Sequence, residues 1–470
     1  MFIQQLYTGC LSEAAYYIES EGKAAIIDPL RDIEVYLNLA KERNAEIIYI
    51  FETHIHADFV SGHLDLSKAT RAPIIFGPEA KPRYEITKAK DLERFPLGAG
   101  TIEVLHTPGH TPESSCYLLR DEKDQPQAIF TGDTLFIGDV GRPDLSQKNA
   151  AYSAEEMAGQ LFQSLRTKIM NLPDHVIVYP AHGAGSSCGK NMSAETFSTL
   201  GEQKQSNYAL QPVSKEDFIE AVTEGLNTAP SYFPINAMIN QNGYESLNSL
   251  LTEALKPLGL EEFKSLLEED QITVLDTRNG ALFTEGFIPG SIFIGLEGRF
   301  AEWAGSLLSY DQPIVLITTP GMEKESFTRL ARVGFSKFAG FLDGGFETWE
   351  NAGEKIDMVI NIETDELAMD MPFDDQLLVI DVRREGEFNN GHVKDAVNLP
   401  LEDIIDPGSM AHIDDRQNLY IHCASGYRSV IAASIMKKQG YHNLRNVEGG
   451  WKAIQLEKRI ATAVDAKAMN

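Results

Sequence analysis

Short apolar runs, each closed by Gly, Pro or Asp, punctuate the first half of the chain: AAIID at 24 to 28, EIIYIF at 46 to 51, PIIF at 73 to 76, IEVL at 102 to 105, SCYLL at 115 to 119, AIFT at 128 to 131 and VIVY at 176 to 179. Runs this short and this rich in β-branched and aromatic residues predict buried strands, and the polar letters that follow them predict loops at strand ends. His54 and His56 follow one such strand, Thr107 to His110 another, Asp133 a third and His182 a fourth. Loops at the ends of neighbouring strands can converge on one point.

The second half repeats itself. Sliding the chain by 105 residues lays VLDTR at 274 to 278 on VIDVR at 379 to 383, Gly286 on Gly391, Gly321 on Gly426, and LDGGF at 342 to 346 on VEGGW at 447 to 451. Two copies of one α/β domain explain the period. Between the halves, residues 206 to 260 carry Pro230, Pro234 and Pro257 among short helical patterns and read as a wrap and linker.

Length and composition fit this layout. At 470 residues the chain has room for about three domains, expected at 1–245, 246–358 and 359–470. A hydrophobic fraction of 43% is enough for packed cores. The net charge of −28 repels phosphate and argues against a nucleic-acid partner. The N-terminal MFIQQLYTGCLSEAAYYI has neither the basic nor the apolar segment of an export signal, and no apolar run is long enough to span a membrane. The four cysteines, Cys10, Cys116, Cys188 and Cys423, are too widely spaced for a disulfide scaffold. A reducing cytoplasm is the expected location, and a homo-oligomer the expected assembly.

Taken singly, His54, His56, Asp58, His110, Asp133 and His182 could each be a turn former. Gathered at strand ends they are hard to explain without a metal. The stretches THIHAD, HTPGHT, FTGD and GRPD resemble the metallo-β-lactamase superfamily, an αβ/βα sandwich, over roughly residues 1 to 240. Within it they look most like the persulfide dioxygenases. That resemblance implies iron held by His54, His110 and Asp133, one Fe(II) per chain. Two imidazoles and one carboxylate on one face leave three positions for O2 and a sulfur substrate together, the arrangement of non-haem Fe(II) oxygenases.

In binuclear hydrolases of this superfamily a His follows the Asp of the HxHxD loop and helps hold a second ion. Here Phe59 stands in its place, which is compatible with a mononuclear site, although many persulfide dioxygenases keep the His. His56, Asp58 and His182 would then orient ligands or bound water. GAGSSCGK at 183 to 190 lacks the first Gly of a nucleotide loop. Cys188, six residues after His182, is expected near the metal pocket, as a substrate-binding thiol or an inert buried one. Arg142 is open to two roles, binding an anionic group of the thiol carrier or making a structural ion pair.

In the third block, YIHCASGYRS at 420 to 429 sets Cys423 after a strand and before a helix. Backbone N–H groups of such a loop form a nest for an anion, with Gly426 allowing the curl and Arg428 supplying charge. Four residues separate Cys423 from Arg428, where the related phosphatase loops have five. The shorter loop, with IDVRREGEF, GHVKDAVNLP and VEGGW around it, resembles the rhodaneses, which carry sulfane sulfur as a cysteine persulfide. The middle copy has Thr318 in place of Cys423 and Glu323 in place of Arg428, and reads as a catalytically dead copy used for packing.

The order of blocks resembles fused persulfide dioxygenase and sulfurtransferase enzymes of sulfide detoxification. The function this implies is oxidation of a small thiol persulfide by O2 to sulfite and thiol, coupled to interconversion of persulfide, sulfite and thiosulfate at Cys423. The alternative is a zinc thioester hydrolase of the glyoxalase II kind, or a lactonase, using His54, His56 and His110.

Overall fold

The computed structural model describes residues 1–145, 152–211, 214–268, 271–411, 413–414 and 416–464. They form two compact units, residues 1–249 with 330–334, and residues 250–329 with 335–470.

The first unit is an αβ/βα sandwich of two six-stranded mixed sheets. One sheet runs in sequence order through Phe2–Thr8, Glu13–Ser20, Lys23–Ile27, Glu46–Phe51, Ile74–Phe76 and Thr87–Lys88. The other is ordered Ser198–Thr199, Ile177–Pro180, Pro126–Gly132, Ser115–Arg120, Gly100–His106 and Arg94–Leu97. The two-residue period of a strand sorts its side chains to opposite faces. Tyr16 and Ile18 enter the core between the sheets with Phe51, Val104, Tyr117 and Phe130. Ala15 and Tyr17, one residue out of phase, join a second core with Ile33, Tyr36 and Ala40. A third core joins Leu118 and Ile129 to Ala158, Leu161 and Phe218 of helices Ala154–Ser164 and Lys215–Thr223. Strands with two apolar faces must be covered on both sides.

All seven expected strands of this unit are present. The short helical patterns of 206 to 260 are present as well. The segment holds helices Lys215–Thr223, Phe233–Asn242 and Leu247–Ala254. Pro234 sits in the first turn of the second of these, where its missing N–H costs nothing. Pro257 begins a strand of the next sheet.

The second unit contains two five-stranded parallel sheets. One is ordered Pro257–Leu258, Phe338–Leu342, Ile314–Ile317, Thr273–Asp276, Ile292–Phe293. The other is ordered Ile360–Ile362, Leu444–Val447, Asn418–His422, Leu377–Asp381, Val397–Asn398. The repeat extends to side-chain detail. Arg278 donates through Nε and Nη2 to the Asp276 carboxylate and through Nη2 to Gly286 O, at 2.7 to 3.1 Å. Arg383 does the same with Asp381 and Gly391 O, at 2.6 to 3.0 Å. Each guanidinium lies over the aromatic ring of the Gly-Gly motif, Phe346 at 4.0 Å and Trp451 at 4.6 Å.

Candidate metal centre and cysteine loop

The polar residues at the strand ends of the first unit do converge. One ligand atom each from His54, His110 and Asp133 lies within 4.8 Å of the others, and all three residues are buried. Each imidazole has one nitrogen already engaged. His54 Nδ1 pairs with Thr53 Oγ1 at 3.0 Å and His110 Nδ1 with Arg142 O at 2.9 Å, which leaves Nε2 of each for another partner. His110 Nε2 lies 3.3 Å from Asp133 Oδ2. Burial, with His56, His110 and His182 close by, holds His54 well below the usual imidazole range, so it is the neutral ring a metal requires. Both Asp133 oxygens are buried without a hydrogen-bond partner. Buried carboxylate oxygens without donors call for a cation. Two imidazoles and such a carboxylate fit a metal ion.

A second group adjoins the first. His182 Nε2 lies 3.3 Å from Asp58 Oδ2 and 3.5 Å from Asp133 Oδ1, and Cys188 completes a cluster with Asp58 and His182 within 4.8 Å. Burial, then the charges of Asp133 and Asp58, push the Cys188 thiol well above its ordinary range.

His56 belongs to a third group. Its Nε2 lies 3.0 Å from Asp28 Oδ1 and 3.4 Å from Glu52 Oε2. Glu52 also approaches His63 Nδ1 at 3.2 Å and accepts from Ser61 Oγ. Burial would lower the His56 pKa, but Asp28 and Glu52 raise it to about 10. Phe59, fully buried, lays its ring against His56 with centroids 4.4 Å apart.

Backbone shape brings these loops together. Gly141 of GRPD passes so close to the ligand strand that a Cβ would stand 2.0 Å from Asp133 O and 3.0 Å from His110 Nδ1. Any side chain there would push the two apart. Asn240, from helix Phe233–Asn242, donates to His56 O and Phe59 O at 2.8 and 2.7 Å and accepts from Ser61 N at 3.0 Å. One amide thus fixes three backbone points of the HxHxD loop.

Of the two roles open to Arg142, the structure favours the ion pair. Its guanidinium is buried, bonds Asp144 at 2.7 Å through two nitrogens, and donates to Ser187 O and Asn227 O. Those donors are occupied by groups of the protein itself. Sequence reasoning missed Asp28, Glu52, Asn240 and Glu13. The Glu13 carboxylate is fully buried without a hydrogen-bond partner, and burial, only partly offset by His56, pushes its pKa well up.

In the second unit Cys423 follows strand Asn418–His422 and precedes helix Tyr427–Lys438. It is buried, and Gly426 N donates to its Sγ at 3.1 Å. Gly426 has φ +112°, a conformation that favours glycine, and this curl aims the N–H at the sulfur. Arg428 does not stand free beside Cys423. Its two terminal nitrogens hold Glu387 at 2.7 and 2.8 Å. In the middle copy Thr318 Oγ1 accepts from Thr277 at 2.7 Å, and Gly321 N donates to both oxygens of Glu323, at 3.0 and 2.9 Å. That carboxylate occupies the nest.

Comparison with known proteins agrees with this architecture. Residues 8–182 match the metallo-beta-lactamase superfamily, and residues 259–352 and 364–457 each match the rhodanese-like domain. A metallo-beta-lactamase from Staphylococcus aureus subsp. aureus COL, known from its crystal structure, is 33% identical and covers 73% of this chain and 98% of its own, with a TM-score of 0.64. Among curated relatives, glyoxylase B2 of Dictyostelium discoideum is 29% identical over 46% of this chain and 74% of its own length. The mitochondrial persulfide dioxygenase ETHE1 of Bos taurus is also 29% identical, over 43% of this chain and 71% of its own. The chain belongs to the metallo-beta-lactamase superfamily and carries two rhodanese-like domains. Its His and Asp clusters are of the kind that bind metal in this fold. Among the described residues no helix is long and apolar enough to cross a membrane.

Proposed function

We propose that the chain is an Fe(II) persulfide dioxygenase joined to a sulfurtransferase. The observation that carries the reading is a two-His, one-Asp cluster on the same chain as a Cys423 loop whose N–H points at sulfur. Relatives of both chemistries lie equally far in identity, so the site must decide between them. A zinc hydrolase using His54, His56 and His110 needs His56 at the metal; the converging ligand atoms instead group His56 with Asp28 and Glu52, apart from His54, His110 and Asp133. Phe59 offers no ligand atom. What remains, His54, His110 and Asp133, is the facial set that suits iron.

Bound there, iron would supply the activation of O2 and of a persulfide. The balanced reaction takes a thiol persulfide, O2 and water to the thiol, sulfite and two protons. The protein's part is to hold and to exclude. Thr53 and the Arg142 carbonyl fix the tautomers and planes of His54 and His110. Asn240 fixes the loop, and Phe59 fills the wall where water or a second ligand would enter.

At the second site the Cys423 thiolate attacks the sulfane sulfur of a donor. The donor's S–S bond breaks, its electron pair leaves with sulfite or thiol, and Cys423 becomes a persulfide. Sulfite attack on the outer sulfur restores the thiolate and releases thiosulfate. The Gly426 N–H is aimed at the negative charge that sulfur carries between these steps.

Anaerobic purification, metal analysis and O2 uptake on glutathione or coenzyme A persulfide test the reading. One iron per chain with uptake supports it; zinc with thioester hydrolysis replaces it. His110→Ala should abolish O2 uptake and spare thiosulfate:cyanide transfer, and equal loss of both in a folded variant would refute two separate sites.

A further inference from the structure

The middle copy lacks a nucleophile, yet it touches the loop that has one. Tyr427, between Gly426 and Arg428, turns out of its own copy and donates its hydroxyl to Gly295 O at 2.8 Å. Its ring meets Phe293 nearly edge-on, with centroids 6.3 Å apart and planes at 67°. It also lies over Gly298, where a Cβ would stand 3.6 Å from the ring. Farther along the same helix, Phe293 N donates to Ser434 Oγ at 3.0 Å and Lys437 pairs with Asp357 at 2.8 Å.

The rest of the cysteine loop is held from within its own copy. Cys423 O accepts from Trp451 N at 2.7 Å, Ala424 O from Lys452 N at 3.1 Å, and Gly426 O from Ser429 Oγ at 2.9 Å. The weak point is Gly426, whose missing side chain leaves its peptide the freest in the loop. Its N–H is the one aimed at sulfur. Anchoring the next residue removes that freedom at the place where it would matter most.

We propose that the middle copy is a positioning element of the sulfur-transfer site, acting through Gly295 and Tyr427 to fix the first turn of helix Tyr427–Lys438, and with it the Gly426 N–H and the Arg428 guanidinium. The proposal rests on Cys423 being the sulfur carrier. It gives the inactive copy a role in turnover, and Tyr427 acts through the loop without touching the sulfur.

The test uses the full chain with Tyr427→Phe, which keeps the ring and removes the hydroxyl. The kcat of thiosulfate:cyanide transfer should fall about five- to tenfold, the usual cost of one part-buried hydrogen bond and its stranded acceptor, while KM for thiosulfate moves less than about twofold. Amide exchange in the peptide spanning residues 420 to 430 should quicken, with the other peptides unchanged. Phe293→Leu, which loosens the same contact from the other side, should act in the same direction. Asp357→Asn breaks a contact farther along the same helix and should leave both readouts at wild type. Unchanged kcat and exchange in Tyr427→Phe would overturn the proposal, as would an equal loss in Asp357→Asn. If wild type transfers no sulfur the functional reading falls, and the exchange measurement still decides the tether.

Discussion

The Cys423 loop and the Thr318 loop are the same backbone device with different occupants. Both follow a parallel strand, both turn through a glycine at positive φ, +112° at Gly426 and +93° at Gly321, and both lead into a helix. In one the glycine N–H meets a cysteine sulfur. In the other it meets a carboxylate carried on the loop's own first helical residue. A nest made of main-chain N–H groups cannot be deleted by changing side chains. In the middle copy the carboxylate takes the glycine N–H that the sulfur takes in the other. The aspartate and arginine that hold each copy together are unchanged, so the scaffold is kept where the loop residues differ.

The comparison breaks most simply at its nucleophile. Cys423→Ser should lower sulfurtransfer by at least about a thousandfold and leave O2 uptake near wild type, with sulfite replacing thiosulfate among early products. Persulfide reacts with sulfite unaided, so an enzyme-free control sets the baseline. A collapse of O2 uptake would mean that Cys423 feeds persulfide to the metal site, the reverse of the order proposed above.

The shared scaffold should respond alike in both copies. Arg278→Ala and Arg383→Ala each strand a buried aspartate and should each cost about 3 to 5 kcal/mol in chemical denaturation. A large loss in one copy alone would mean the repeat is alike in geometry but not in energetics.

Giving the Thr318 loop a cysteine is a smaller effect. In a Cys423→Ser background Thr318→Cys should give no transfer, because Glu323 still fills the nest. Adding Glu323→Gln, which removes the charge, should bring transfer to about tenfold above the assay background. Activity from Thr318→Cys alone would show that the carboxylate is displaced easily.

The smallest effect is the Arg428–Glu387 pair. Burial would raise the Glu387 pKa, but Arg428 outweighs it and holds the carboxyl below its ordinary range. A folded pKa below the unfolded one adds stability at pH values above the unfolded pKa, and that stability is lost as pH falls through the folded pKa. The stability gap between wild type and Glu387→Gln should thus be full at neutral pH and close on acidification below the normal carboxylate range. Because the pair is partly exposed, the gap should stay within about 1 kcal/mol. A gap that widens in acid would reverse the assignment.

These outcomes bear on what the sequence could disclose. His54, His110, Asp133 and Cys423 were legible as candidates because each sits in a stretch, THIHAD, HTPGHT, FTGD or YIHCASGYRS, that resembles a known family motif. The paired copies were legible because their period is long and their glycines are fixed by geometry. Asp28 and Glu52 were not, being single acidic letters at the ends of strands whose burial cannot be read from composition. Nor were strands Phe2–Thr8 and Glu13–Ser20, where a half-buried edge strand and a strand mixing small and aromatic residues give no clean alternation. Asn240 and Gly295 were beyond reach for another reason: each acts through a contact more than 130 residues away in the chain.

That distance at Asn240 has a consequence for synthesis. Every donor of the three histidine clusters, apart from the Cys188 thiol, has been made by residue 182, where the family match also ends. The amide that closes the HxHxD loop is made much later, 179 to 184 residues after the groups it holds. A nascent chain at that stage carries the candidate metal ligands without the amide that holds their loop in the full chain. Ion capture before closure and ion capture after it are therefore different events, and a fragment trimmed to the family boundary would report only the first.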